Sequence, residues 1–205
     1  MLIQALIFDI GGVLFRTEDL APRRKWEQRF GLPEWGLAEI IFNNPIARLA
    51  SLGQASSAEI WVEVARRLSL SPDDLEELKT DFWKGDVWDE ALLEFIRSHK
   101  PRFKTGIISN AWPDVWEATK SHINRETFDA ILFSAEEGIE KPDPEIYHRA
   151  LKRLSVMPAE AIFVDDTLKN VEGARAVGMV GVHFTGSLKA REEIERLIAD
   201  GAQEL

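Results

Sequence analysis

Five short runs of apolar and β-branched residues, at 3–9, 104–109, 130–133, 161–165 and 179–184, constrain most strongly what this chain can fold into. Each is short for a helix and resembles a strand buried on both faces. Amphipathic stretches follow several of them: Ile146, Ala150, Leu151 and Leu154 recur at helical spacing, as do Ile194, Leu197 and Ile198. That alternation predicts a doubly wound, Rossmann-like α/β fold with a parallel five-stranded sheet covered by helices.

The spacing of the runs is uneven. Roughly 80 residues without a convincing strand follow the first run. Within them, Ser56 and Glu59 have capping-box spacing, and Ser71, Pro72 and Asp74 fit an N-cap, a first-turn proline and an acidic first turn. The segment therefore reads as an inserted helical unit. We expect a core made of residues 1–17 and 86–205 and an α-helical cap made of residues 18–85. Trp26, Trp35, Trp61 and Trp83 fall inside the insert and are expected to build its small core, with one or two left to face a ligand.

Composition narrows the function classes. A formal net charge of -10, with no dense basic run, argues against nucleic acid as a partner. The apolar N-terminal run is interrupted by Asp9 and has no basic leader, so neither a signal peptide nor a membrane span is expected, and the reading is cytoplasmic. With no cysteine, any metal must be held by oxygen or imidazole. The sequence offers no reading of oligomeric state.

Ligands of open parallel sheets bind beyond the carboxyl ends of the strands, and there the polar residues gather. Asp9 ends the first run and is followed by Gly11 and Gly12, which permit a tight turn and close backbone approach. Ser109 and Asn110 end the second run, and Asp165 and Asp166 end the fourth. Taken singly, each also suits a turn or a helix cap. Together they would place three carboxylates at neighbouring strand ends, where like charges need a cation to remain ionised; an all-oxygen set points to Mg²⁺. Lys141, just before Pro142, Asp143 and Pro144, could neutralise a phosphoryl group and the carboxylate that attacks it. Asn170 stands about one helical turn beyond Asp166 and could support the metal shell.

The segments Phe8-Asp9-Ile10-Gly11-Gly12-Val13-Leu14, Ile108-Ser109-Asn110, Lys141-Pro142-Asp143-Pro144 and Val164-Asp165-Asp166, with Asn170 behind, resemble in order and spacing the four-motif signature of haloacid dehalogenase (HAD) superfamily hydrolases. The resemblance implies a phosphomonoester hydrolase acting on a small phosphorylated metabolite. Asp9 would be the nucleophile that becomes an aspartyl-phosphate, Ser109 and the amide of Asn110 would hold phosphate oxygens, and Lys141 would balance charge. The turn residues Gly11 and Gly12 would also border the bound phosphate. Asp9, the carbonyl of Gly11 and Asp166 would hold Mg²⁺, supported by Asp165 and Asn170.

One departure stands out. Two residues after the nucleophile, where most such phosphatases carry a second aspartate as general acid and base, this chain has Gly11. The Asp-x-Gly form resembles a subset that includes phosphatases acting on sugar phosphates such as α-D-glucose 1-phosphate. Glu18 and Asp19 are nearby acids, and Asn43, Asn44 and Arg48 are polar candidates for sugar hydroxyls. A haloacid dehalogenase, which needs no acid for its halide, and a non-catalytic binding relative are the alternatives.

Overall fold

The computed structural model describes residues 2–203. In chain order the elements are β1 (Ala5–Phe8), β2 (Phe15–Thr17), α1 (Ala21–Arg29), α2 (Gly36–Phe42), α3 (Pro45–Ser51), α4 (Ser57–Leu68) and α5 (Pro72–Lys84). Next come β3 (Asp86–Trp88), α6 (Glu90–His99), β4 (Lys104–Ser109), α7 (Val115–Thr119), β5 (Ala130–Phe133), α8 (Ser134–Glu137) and α9 (Pro144–Leu154). The chain closes with β6 (Ala161–Asp165), α10 (Leu168–Ala176), β7 (Val180–His183) and α11 (Ser187–Gln203).

Five strands form one parallel sheet in the order β5-β4-β1-β6-β7. The chain runs outward from β1 through β4 to β5, then returns to β6 on the other side, so the winding reverses at β1. Phe8 lies level with Ile107 of β4 and with Val164 of β6, which sets Asp9, Ser109 and Asp165 at one edge of the sheet.

Both faces of the sheet are buried along most of its length, which explains the successive apolar positions of β1, β5 and β6 and of Ile107 and Ile108 in β4. Leu6 and Phe8 point to one side, with Ile107, Ile162 and Val164, against Leu92, Leu93 and Ile96 of α6 and Ile194 and Ile198 of α11. Ala5, Ile7, Ile108, Leu132 and Phe163 point to the other, against Ile146, Tyr147, Ala150, Leu151 and Leu154 of α9. The strand alternation of period two thus sorts one continuous apolar run into two cores.

Between β2 and β3 lie the five helices α1 to α5, with an apolar cluster of their own built on Trp26, Leu37, Ile41, Ile60, Val64, Leu78 and Phe82. Ser56 and Glu59 form the reciprocal capping box that starts α4, and Ser71 accepts from Asp74 at the start of α5. The four tryptophans divide. Trp26 is fully buried and Trp61 packs against the cluster, whereas Trp35 and Trp83 remain exposed.

The sequence reading did not anticipate β2 and β3. These three-residue strands pair antiparallel, Thr17 with Asp86 and Phe15 with Trp88, at the two crossings between the sheet and the helical segment. Three residues carry no usable periodicity, so their pairing is a tertiary outcome. A buried ion pair braces the ribbon: Arg23 Nη2 is 2.7 Å from Asp86 Oδ2, and Arg23 Nε donates to the carbonyl of Phe82 at 2.8 Å. Burial lowers the Arg23 pKa and raises that of Asp86, so desolvation outweighs the mutual attraction and the pair acts mainly to fix geometry. Asp86→Ala, which strands the guanidinium, is expected to cost about 3 kcal/mol in urea unfolding, while Arg23→Met with Asp86→Leu costs clearly less. Equal losses in the two proteins would contradict this account.

Candidate active site

The β1 strand delivers Asp9 to the sheet edge, where its backbone N–H donates to Val164 O at 2.9 Å. The chain then turns tightly: the N–H groups of Val13, Leu14 and Phe15 all converge on the carbonyl of Ile10, and Gly12 N–H donates to Phe15 O at 3.0 Å. The two glycines of this turn are not equivalent. Gly12 has φ of 77°, and a Cβ there would fall 2.1 Å from Asp166 Oδ2, so the position excludes a side chain on two grounds. At Gly11 a Cβ would meet nothing within 4 Å, and its φ is not positive. Only Gly12 is required by the turn.

Lys141 joins the strand ends. Its Nζ lies 2.9 Å from Asp9 Oδ2 and 2.7 Å from Asp165 Oδ2, with the lysine side chain wholly buried. Its backbone is clamped by the Asn110 carboxamide, which accepts from Lys141 N–H at 2.8 Å and donates to Lys141 O at 3.0 Å. The Asn110 side chain is therefore committed to placing the lysine. For a phosphate oxygen, the group it has left is its backbone N–H.

Asp165 is fully buried and accepts from Lys141, from Thr167 N–H at 2.8 Å and from Asn170 Nδ2 at 3.1 Å to both oxygens. Asn170 is itself steadied by Tyr147, whose hydroxyl donates to its carbonyl at 2.8 Å. Asp166 is exposed; its carboxylate faces the Gly12 backbone, and its closest side-chain partner is Thr167 Oγ1 at 3.5 Å. Ser109 ends β4 and is buried, one register position beyond Asp9. The structure thus gathers Asp9, Lys141, Asp165, Asp166 and Asn170 directly, with Ser109 and Asn110 on the neighbouring strand end.

Oxygens of Asp9, Asp165 and Asp166 lie within 4.8 Å of one another. Burial pushes the Asp9 carboxyl up to about 6; Lys141 opposes this and the charge of Asp165 adds to it. Asp166, exposed as a residue, still has its carboxyl raised by partial desolvation and then by the charge of Asp165. Burial pulls the Lys141 ammonium down, but the two carboxylates outweigh it, so its pKa stands above the ordinary lysine value. One ammonium among three carboxylates leaves excess negative charge in an all-oxygen pocket, which fits a hard divalent cation.

Other residues singled out in the sequence are engaged elsewhere. Glu18 sits 3.6 Å from Arg16, and Asp19 accepts from Ala21 N–H at the start of α1. Asn44 is a buried cap of α3, Asn43 donates to Glu39, and Arg48 lies 3.6 Å from Glu140. Sequence reasoning missed Tyr147, an apolar-face residue of α9 until its hydroxyl is placed, and Ser134, whose Oγ accepts from Ala111 N–H at 2.9 Å and steadies the loop after Asn110.

A carboxylate at the end of the central strand, a buried lysine on it and an acidic pair on the next strand define a hydrolase site of the α/β type. The chain belongs to the haloacid dehalogenase-like hydrolase family, whose model matches residues 3–178. It is 30% identical over 200 residues to the sesquiterpene phosphatase astK of Aspergillus oryzae, covering 95% of this chain and 96% of that protein. A glyceraldehyde 3-phosphate phosphatase of Pyrococcus furiosus is 36% identical over 107 residues, which span 51% of this chain and 45% of that one. In fold, a HAD-family enzyme of Bacteroides thetaiotaomicron, solved in complex with magnesium and inorganic phosphate, superposes with a TM-score of 0.71 at 18% identity, over 88% of this chain and 93% of that one.

The raised Asp9 carboxyl has a consequence for stability. A carboxyl whose folded pKa exceeds its ordinary 3.8 binds its proton more tightly when folded, so the stabilisation present below pH 3.8 is lost as pH rises through about 6. Metal-free protein is expected to lose on the order of 1 to 3 kcal/mol across that window relative to Asp9→Asn. Added Mg²⁺ at neutral pH should raise the wild-type Tm more than that of the variant. Parallel pH curves in thermal unfolding would refute the assignment.

Proposed function

We propose that the protein is a Mg²⁺-dependent phosphomonoester hydrolase that works through an aspartyl-phosphate on Asp9. The observation that carries this reading is the single buried ammonium of Lys141 held between Asp9 and Asp165 beside Asp166. An Asp9 oxygen attacks phosphorus, the bond from phosphorus to the ester oxygen breaks, and the departing alkoxide takes a proton. Water then attacks the same phosphorus and frees the Asp9 carboxylate and inorganic phosphate. Lys141 keeps the nucleophile ionised and offsets phosphoryl charge, while Ser109 and the Asn110 N–H receive phosphoryl oxygens.

Asp9, the Gly11 carbonyl and Asp166 are the groups that would hold the cation, with Asp165 and Asn170 behind them. Asp165 is already saturated by Lys141, Thr167 and Asn170, which favours Asp166 as the direct ligand. A bound divalent cation would supply charge neutralisation between carboxylates and phosphate. Residues 18–85 are proposed to act as a cap over this edge, in keeping with the contact of Ser57 Oγ with Asp114 Oδ1 at 2.6 Å. Among the described residues no helix is long and apolar enough to cross a membrane. The relatives named above act on a sesquiterpene and on a triose phosphate, so kinship leaves both apolar and polar substrates open.

Hydrolysis of p-nitrophenyl phosphate, whose leaving group needs little acid, should require Mg²⁺ and disappear in Asp9→Asn. Persistent turnover in that variant would remove Asp9 as nucleophile. Because Gly11 has room for a side chain, Gly11→Asp should install the missing acid. It is expected to raise kcat about 10²-fold for alkyl phosphates and far less for p-nitrophenyl phosphate. An equal effect on both ester types would show that the new carboxyl does not protonate the leaving group.

A further inference from the structure

Four aromatic rings form a connected patch where the helical segment meets the sheet. Trp83 of α5 lies 6.4 Å from Phe15 of β2, 6.0 Å from Phe42 at the end of α2 and 6.5 Å from Trp112, and Phe42 lies 5.5 Å from Trp112. Two rings therefore come from the helical segment, one from β2 and one from the loop that follows β4. Phe15 is tied by its backbone to Gly12 and Ile10 of the Asp9 turn, and Trp112 follows Ser109 and Asn110 by only a few residues. The patch is not closed off: Phe42 is 43% and Trp83 38% exposed.

Leaving two large rings in water forgoes the favourable free energy of apolar burial. A ligand that covers them recovers it. Of the polar side chains that could instead have met sugar hydroxyls, Asn44 caps α3 and Asn43 bonds Glu39, while Arg48 stays exposed 3.6 Å from Glu140. We propose that the substrate is a phosphomonoester of an apolar chain alcohol, a prenyl or alkyl phosphate. Its phosphate sits at the Asp9 and Lys141 edge and its hydrocarbon lies along Phe15, Phe42, Trp83 and Trp112. The assignment rests on the phosphatase reading and names its substrate class. It is the alternative to the sugar 1-phosphate expectation drawn from the Asp-x-Gly pattern.

The test compares farnesyl monophosphate, glycerol 3-phosphate and acetyl phosphate on the full chain with Mg²⁺. Acetyl phosphate has a good leaving group and no hydrocarbon body, so it reports the phosphoryl chemistry alone. We expect kcat/KM for farnesyl monophosphate to exceed that for glycerol 3-phosphate at least tenfold. The ratio of farnesyl to acetyl phosphate kcat/KM should fall about tenfold in Trp83→Ala and in Phe42→Ala, mostly through KM. Farnesol should quench the tryptophan fluorescence of the wild type, and less so that of Trp83→Phe, a variant that keeps a ring in place should the alanine variants fail to fold. Turnover of acetyl phosphate with glycerol 3-phosphate preferred, or an unchanged ratio in the variants, overturns the proposal while sparing the phosphatase reading. If acetyl phosphate is not turned over, that reading fails, and the farnesol titration alone decides the apolar wall: no quenching overturns it.

Discussion

A lysine ammonium with no exposed side-chain surface is tolerable only where charges of opposite sign surround it, and the strand ends of this protein are arranged around that requirement. Lys141 is reached from three directions. Asp9 comes from β1 and Asp165 from β6, while Asn110 beyond β4 grips the lysine backbone through both amide groups. Losing either carboxylate would leave the ammonium with one partner, and losing Asn110 would free the loop that aims it. Tyr147 extends the support outward by anchoring Asn170, which in turn anchors Asp165.

The same crowding separates the two glycines that follow Asp9. Gly12 is pressed against the Asp166 carboxylate, so its lack of a side chain is part of the site's packing. A Cβ at Gly11 would meet nothing within 4 Å, so packing does not account for its lack of a side chain.

Much of the core was legible because a strand buried on both faces must be apolar at successive positions, and all five sheet strands carry that mark. The capping signals of α4 and α5 were equally readable, since Ser56 with Glu59 and Ser71 with Asp74 act within one turn of chain. The β2 and β3 strands were not, because their three-residue lengths carry no pattern and their partners are some 70 residues apart. Asn110 illustrates the same limit at the site. Its residue type suggests a polar contact, but that its carboxamide would be consumed by Lys141, 31 residues away, depends on the loops meeting.

Local chemistry and periodicity by themselves determined the five sheet strands, the capped starts of α4 and α5, the grouping of Asp9, Ser109, Asp165 and Asp166 at strand ends, and the exclusion of thiolate ligands. Tertiary structure decided how those groups are shared out: Asp165 saturated and buried, Asp166 open, Asn110 spent on the lysine, and Trp26 and Trp83 sent to opposite fates. The physical reason is that hydrogen-bond partners and solvent exposure are properties of elements brought together across the chain. A residue's type sets what it can bond, but packing sets which of those bonds remain free for a ligand.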